Sequence, residues 1–246
     1  MSASENAAAT FVRHLENNPY PGRGLVIGRR SDAAGWLIVY FIMGRSPNSR
    51  NRRFQAEGDR LWTEPVDPSR VENPELIIYD AMLALPGVQL VGNGNQVSTA
   101  YEFMERGDRF ASALEIRERE PDAPNYTPRI TAKLDCRRTK ADFELSLLKA
   151  DAGDPSHTDR IIYRPSHPAD GFGYGLTTYM GDGSPLPSFE GDPLWLPLEG
   201  GPEVVLATYW SALDADNRVA LAVKAVGEDG VLEGLWIRNA RGGSAP

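Results

Sequence analysis

The sequence predicts an α+β fold in which mostly antiparallel sheets pack face to face and helices lie outside them. About nine or ten segments are short and rich in Val, Ile and aromatic residues, as β-strands are. The helical segments, roughly three or four, are grouped and do not alternate with strands, so the βαβ repeat of a doubly wound parallel sheet is missing. Residues 36–43 are apolar at nearly every position, which is typical of a strand buried on both faces.

In the N-terminal half, Ser4 is the predicted cap of a short amphipathic helix at residues 7–15, and the Pro-containing segment 18–22 ends it. Strands are predicted at 24–28, 36–43, 76–79 and 88–91, with a polar, arginine-rich loop at 44–53. Ser98 is the predicted N-cap of the first of two helices that lie between 98 and 118 and separate at Gly107.

In the C-terminal half, the prolines of segment 120–125 end the helical region. Further strands are predicted at 129–134, 143–149, 161–163 and 175–179. A helix with Pro in its first turn is predicted at 202–213, and a hairpin pairs 218–226 with 231–237 across the turn at 228–230.

A chain of 246 residues fits one large domain or two small ones, and no linker composition divides it. We therefore expect an N-terminal extension at 1–18, a single domain at 19–240 and a frayed tail at 241–246.

The composition and net charge limit the classes of partner that we expect the chain to bind. The formal net charge of −8 disfavours binding to nucleic acid or to an anionic membrane, and no apolar run approaches a membrane span. The single cysteine, Cys136, and the absence of a secretory leader pattern fit the cytoplasm. The three histidines are far apart and show no metal-ligand spacing, so neither a metal nor another cofactor is expected.

Arginines are concentrated after the buried strand at 36–43. Four of them fall within nine residues, at positions 45, 50, 52 and 53. The guanidinium group binds phosphate or carboxylate oxygens in a planar fork, and Ser46 and Asn48 add neutral donors. The composition is consistent with a site for a small anionic ligand and equally with a solvated loop.

Four other segments carry polar groups that suit a ligand. Tyr79 ends a predicted strand, where a tyrosine more often anchors the edge of the core. The turn at Asn93 and Gly94 offers amide and backbone donors, although a plain turn has the same composition. Glu120 and Arg129 flank a segment stiffened by three prolines, and Thr178 lies in a long loop rich in hydrogen-bonding groups.

The ordered set of motifs resembles the archaeal-type IMP cyclohydrolase family, specifically its bacterial branch. The set consists of Tyr-Pro-Gly-Arg-Gly-Leu at 20–25 with Gly-Arg at 28–29, the arginine-serine loop from 45, Asn-Pro-x-x-x-x-Tyr at 73–79, Asn-Gly at 93–94, Thr-Pro-Arg-Ile at 127–130, Thr-Thr-Tyr at 177–179 and Leu-Pro-Ser-Phe-Glu-Gly at 186–191. The resemblance covers roughly residues 20–200.

The family implies a four-layer αββα fold like that of the N-terminal-nucleophile hydrolases, without their self-processing. It also implies closure of the purine ring of 5-formamidoimidazole-4-carboxamide ribotide (FAICAR) to IMP with loss of water, and no cofactor. A small-molecule nucleotide is then the expected partner, and a homo-oligomer is possible. The residues leave open a related cyclisation of another nucleotide-like amide and a noncatalytic nucleotide-binding protein.

The resemblance also implies site residues. Tyr79 matches the family's active-site tyrosine, Glu120 its acidic residue and Arg50 the arginine of its arginine-serine loop, and these three are the expected catalytic groups. The expected substrate-binding residues are Arg45, Ser46, Asn48, Asn93, Gly94, Arg129 and Thr178. We expect the charged members of this set, with Asn93, to converge on one pocket with Tyr79.

Overall fold

The computed structural model describes residues 2–72 and 74–241, and it shows a mixed α+β protein with two antiparallel sheets. The six-stranded sheet contains β1 (Arg23–Arg29), β2 (Trp36–Met43), β10 (Phe172–Thr177), β11 (Leu194–Pro197), β12 (Arg218–Val226) and β13 (Leu232–Asn239). The seven-stranded sheet contains β3 (Arg52–Glu57), β4 (Arg60–Pro65), β5 (Asp80–Leu85), β6 (Val88–Gly92), β7 (Arg129–Asp135), β8 (Asp142–Ala150) and β9 (Thr158–Tyr163). The predicted class and the antiparallel pairing are confirmed.

The strand orders are β11-β10-β1-β2-β12-β13 and β3-β4-β5-β6-β7-β8-β9. Strand β2 lies inside its sheet between β1 and β12, and all eight of its residues are buried. The apolar run that predicted a strand covered on both faces is explained by this position.

The two sheets pack against each other through one large apolar cluster. It includes Ile38 and Ile42 from β2 and Ile130 and Leu134 from β7, all of them almost completely buried. Because side chains alternate between the faces of a strand, Tyr40 and Ala132 share this inner face and the odd-numbered residues of these two segments point away from it.

Helices cover the outer faces. Helices α4 (Gln96–Glu105) and α5 (Phe110–Glu115) pack on the seven-stranded sheet through a second apolar cluster that joins Val97 and Phe110 to Leu90 of β6. Helix α6 (Pro202–Ala212) packs on β12 and β13.

The N-terminal segment is attached to the same core. Helix α1 (Ala3–Phe11) begins with a Ser2 capping box, and the π-helical turn Val12–Glu16 continues it. Phe11 and Leu15 are buried in the large cluster, and α1 packs against β11.

Several predicted elements need correction. Residues 76–79 are not a strand, because the short helix α3 (Pro74–Ile77) ends there and β5 begins only at Asp80. The predicted loop at 44–53 contains the helical turn α2 (Pro47–Arg50) and the start of β3. Helix α1 is capped by Ser2 instead of Ser4, and α4 begins after Asn95 instead of Ser98.

The β3–β4 hairpin is missing from the prediction, and the described residues form 13 strands where about nine or ten were predicted. Both strands carry charged side chains on their more exposed face, which hides the strand pattern. The helix pair at 98–118 and the hairpin of β12 and β13 are confirmed. Most of the tail predicted to fray, residues 242–246, lies outside the described residues. None of the described helices is long and apolar enough to span a membrane.

Candidate active site

A polar cavity of about 290 Å³ opens where β1 begins and β2 ends. Strand β1, the arginine-rich segment after β2, the segment between α5 and β7, and the loop after β10 form its walls. Its lining includes Tyr20, Arg23, Arg45, Ser46, Asn48, Ser49, Arg52, Ile77, Glu120, Asp122, Asn125, Thr127 and Tyr179.

An ion pair between Arg23 and Glu120 lies in the wall. The guanidinium group binds both carboxylate oxygens, with Nη1 3.0 Å from Oε1 and Nη2 3.2 Å from Oε2, and both side chains are more than nine-tenths buried. Burial raises the pKa of Glu120 above 4.5, against the Coulombic influence of Arg23 and Arg129, which lower it. Burial lowers the pKa of Arg23, but Glu120 and neighbouring tyrosines outweigh it, so the pKa is raised and the guanidinium stays charged.

Hydrogen bonds from the backbone N–H groups of Arg23 and Glu120 hold the ion pair in place. The Arg23 N–H donates to Thr178 Oγ1 at 3.0 Å, and the Glu120 N–H donates to the Thr127 carbonyl at 2.9 Å. Gly22 has φ +78°, and a Cβ on it would lie 2.2 Å from Thr178 Oγ1, so only glycine fits there. Thr178, which we expected to bind substrate, is completely buried and holds β1 in place.

Thr127 also connects the Glu120 segment to the opposite wall. Its hydroxyl lies 2.5 Å from the Tyr179 hydroxyl and is hydrogen-bonded to Asp122. These bonds fold the proline-rich segment into a closed turn at this wall, and the turn keeps Glu120 at the cavity.

Tyr79 lies behind the lining, between α3 and β5. Its backbone N–H donates to Thr63 Oγ1 and its carbonyl accepts the Thr63 N–H, both at 3.0 Å. Its hydroxyl oxygen is 2.8 Å from that of Tyr40, in the middle of β2. Both phenols also contribute to the raised pKa of Arg23.

The arginine-rich segment divides into residues that face the cavity and residues that do not. Arg45 lines the mouth, where it pairs with Asp182 and lies over the Tyr20 ring at 4.9 Å. Ser46 and Asn48 also line the cavity, and the Ser46 hydroxyl caps α2 by accepting the Ser49 N–H.

Arg50 and Arg52 point to different places. The Arg50 guanidinium donates to the Gly44 carbonyl and to Asn217 Oδ1, both at 2.9 Å, and it is not part of the lining. Arg52 is 4% exposed and lines the cavity, and its partners are the carbonyls of Ser49 at 2.8 Å and Met43 at 3.2 Å. No carboxylate among the described residues forms an ion pair with Arg52. Sequence reasoning placed Arg52 in the basic cluster but chose its neighbour Arg50.

Asn93, Gly94 and Arg129 form a group beside Glu120. Asn93 is completely buried, donates to the Pro128 carbonyl and accepts the Ile130 N–H, both at 2.8 Å. Arg129 Nη1 donates to Gln96 Oε1 at 2.8 Å, and a Cβ on Gly94 would lie 2.2 Å from that Nη1. None of these residues lines the cavity, but Arg129 is close enough to Glu120 to lower its pKa.

The sequence analysis missed Arg23, Tyr20, Tyr40 and Tyr179 as site residues. Arg23 and Tyr20 belong to the Tyr-Pro-Gly-Arg-Gly-Leu motif and Tyr179 to Thr-Thr-Tyr, so the motifs contained a usable indication. Tyr40 is hidden in the apolar run of β2, where nothing in the sequence separates it from the core.

The fold and cavity define an α+β protein with a polar cavity whose arginine-containing lining suits an anionic ligand. A family model described as IMP cyclohydrolase-like protein matches residues 20–230. The IMP cyclohydrolase of the archaeon Methanothrix thermoacetophila is 30% identical over 176 residues, which cover 70% of this chain and 80% of that protein. The chain belongs to the IMP cyclohydrolase-like family, and the resemblance predicted from its motifs is confirmed.

Proposed function

We propose that this chain is an IMP cyclohydrolase, which closes the purine ring of FAICAR to IMP with loss of water. Family membership and the similarity to the archaeal IMP cyclohydrolase support the proposal. The observation that carries it in the structure is the cavity, whose lining combines the buried Arg23–Glu120 pair with Arg52. The proposal includes a four-layer αββα arrangement of the N-terminal-nucleophile-hydrolase type.

The reaction needs a proton acceptor and a donor for an oxyanion. The carboxamide nitrogen attacks the formyl carbon, a C–N bond forms, and the nitrogen gives up a proton. The formyl oxygen takes the electron pair of its carbonyl bond and one proton, and becomes a hydroxyl group. This hydroxyl takes a second proton and leaves as water, while the formamido nitrogen loses its own proton and forms the C=N bond that replaces the broken C–O bond. We assign proton transfer to Glu120 because each carboxylate oxygen keeps a lone pair beside its bond to Arg23. We assign the donor to the formyl oxygen to Tyr79 because it matches the family's active-site tyrosine, although it lies behind the residues that line the cavity.

The charge distribution of the cavity orients the substrate. Glu120 and Asp122 lie on one wall and repel a phosphate, whereas the wall formed by Arg45, Ser46 and Arg52 carries cations and neutral donors. The phosphate therefore binds at the arginine wall and the carboxamide lies toward Glu120. Arg52 suits the phosphate because its buried positive charge has no acidic partner among the described residues. Arg50 supports this wall through its bonds to Gly44 and Asn217.

The direct test is ultraviolet monitoring of IMP formation from FAICAR by the purified chain, with and without a chelator. We expect turnover that needs no added metal. Tight binding of the ribotide without turnover would favour a noncatalytic nucleotide-binding protein, and turnover of a different nucleotide-like amide would favour the related cyclisation.

A further inference from the structure

A pair of tyrosine hydroxyls connects the two sheets behind the cavity. Tyr40 belongs to β2 of the six-stranded sheet, and Tyr79 precedes β5 of the seven-stranded sheet. Their oxygens are 2.8 Å apart. Tyr40 is 0% exposed and Tyr79 is 5% exposed.

Counting protons gives this hydrogen bond a direction. The two hydroxyls hold two protons, and the bond between them uses one. Among the described residues, the Tyr40 hydroxyl has no partner except Tyr79. If Tyr79 donated, the Tyr40 proton would have no acceptor among the described residues, and a buried hydroxyl without an acceptor is destabilising. In the proposed function the Tyr79 proton goes to the formyl oxygen, so the proton between the two hydroxyls belongs to Tyr40.

We propose that Tyr40 is a positioning residue for ring closure, whose hydroxyl donates to Tyr79 and so directs the Tyr79 proton to the formyl oxygen of the substrate. The inference rests on the proposed function. Tyr40 is completely buried and its hydroxyl partner among the described residues is Tyr79, so it acts on the substrate through Tyr79. As negative charge develops on the formyl oxygen, the two hydrogen bonds in series strengthen each other.

The surroundings of Tyr40 keep this arrangement in place. The Phe54 ring packs against the Tyr40 ring at 5.6 Å and limits its movement. The charged groups that face the phenol are Arg23 and Arg52, which lower its pKa. Burial outweighs them and raises the pKa well above 10, so Tyr40 remains a proton donor throughout the physiological range.

The test is a double-mutant cycle on the steady-state rate of IMP formation. Tyr79→Phe is expected to lower kcat by about 10²–10³-fold, the usual loss of a donor to a developing oxyanion. Tyr40→Phe is expected to lower kcat by about 3- to 10-fold, the usual worth of one neutral hydrogen bond, with KM unchanged. In the Tyr79→Phe background, Tyr40→Phe is expected to change kcat by less than about twofold.

Tyr209→Phe is the matched control. Tyr209 is also almost completely buried, and its hydroxyl donates to the Pro197 carbonyl at 2.9 Å, away from the cavity. Tyr209→Phe also removes one buried hydroxyl from the core, but this hydroxyl does not contact Tyr79. We therefore expect kcat to stay at the wild-type value. If Tyr40→Phe does not fold, Tyr40→Met also removes the hydroxyl and enters the same cycle.

Two results would overturn the inference. One is a Tyr40→Phe enzyme with wild-type kcat. The other is a Tyr40→Phe loss of equal size with and without the Tyr79 hydroxyl, which would indicate a general packing defect. A wild-type chain that forms no IMP would instead overturn the proposed function, and the inference with it, and is recognised before any variant is compared.

Discussion

Two buried cations, Arg52 and Lys224, differ in the groups that surround their positive charge. Arg52 lines the cavity, and its hydrogen-bond partners among residues 2–72 and 74–241 are backbone carbonyls. Lys224 is completely buried on β12 and donates to Gln89 Oε1 at 2.8 Å and to the Asp59 carbonyl at 2.6 Å, with the Asp59 carboxylate 3.3 Å away. Lys224 pairs in register with Ile38, whereas the cavity lies at Met43 on the same strand, β2.

The difference separates a binding group from a structural one. Lys224 has an acidic partner and joins the two sheets, because Gln89 and Asp59 both belong to the seven-stranded side. Its charge is already compensated, and it lines none of the cavity wall. Arg52 is buried by the fold, and in the proposed function the substrate phosphate neutralises its charge. A buried charge is costly when unpaired, so its retention at a cavity indicates an anionic ligand.

The largest expected effect at the cavity comes from Glu120→Gln. If Glu120 transfers the proton, kcat should fall by about 10²–10⁴-fold. In the wild type, activity should fall as the pH drops through the pKa of Glu120, and burial places that limb above 4.5. The measurement is a pH–rate profile of both enzymes. The substrate phosphate also titrates, near pH 6, and its limb should remain in Glu120→Gln. A variant that keeps both its rate and its acid limb would remove Glu120 from the chemistry.

Arg52→Met should have the next largest effect. Loss of a buried, charge-assisted contact to phosphate should lower kcat/KM for the ribotide by about 10²-fold, while the corresponding riboside is little affected. Arg53→Met is the matched control, since Arg53 follows directly on β3 but pairs with Glu64. Arg50→Met provides a second comparison, and we expect it to lower kcat/KM for the ribotide by less than Arg52→Met does. A larger loss for Arg50→Met than for Arg52→Met would assign phosphate binding to Arg50, the arginine that the sequence analysis chose.

The sequence was informative about the strands of the interior and less so about how side chains meet. The run at 36–43 predicted β2 because a strand covered on both faces needs apolar residues throughout. Arg50 and Arg52 are two positions apart and lie in the same polar, arginine-rich segment, so the sequence does not distinguish them. The turn of α2 directs one toward Asn217 and the start of β3 directs the other into the cavity. Such directions depend on contacts across the fold that one sequence does not show.

The group around Arg129 illustrates the same limit. Gly94 and Gln96 precede Arg129 by more than 30 positions, and only the pairing of β6 with β7 brings them to its guanidinium. The Thr-Pro-Arg motif identified Arg129 as important. Its position beside Glu120, outside the cavity lining, required the structure.

A smaller effect, and one on stability alone, is expected from Lys224→Met. The change leaves Gln89 Oε1 without its donor, and we expect a loss of about 1–3 kcal/mol in the free energy of unfolding. Turnover should stay within about twofold of the wild type, because Lys224 is remote from the cavity lining. Urea unfolding and the IMP assay check both parts. Lost turnover with unchanged stability would contradict the division between the two cations.

The smallest expected effect is the pH dependence of that stability difference. Burial lowers the pKa of Lys224 below 10.5, although Asp59 opposes the shift. Between the lowered pKa and 10.5, the unfolded chain binds more protons at this lysine than the folded chain does. The stability of the wild type relative to Lys224→Met should therefore rise with pH across that window. Urea unfolding at a series of alkaline pH values measures it.

Lys133 provides a control of opposite sign. Burial lowers its pKa, but hydrogen bonds to Glu144 and Asp142 outweigh that and raise it above 10.5. Its contribution should be fully present below 10.5 and disappear as the pH rises through the raised value, so the wild type should lose its advantage over Lys133→Met there. The chain contains only four lysines, which keeps the two slopes separable. Slopes of the same sign for Lys224 and Lys133 would show that the buried amine between the sheets is held as a fully paired charge, not as one that burial destabilises.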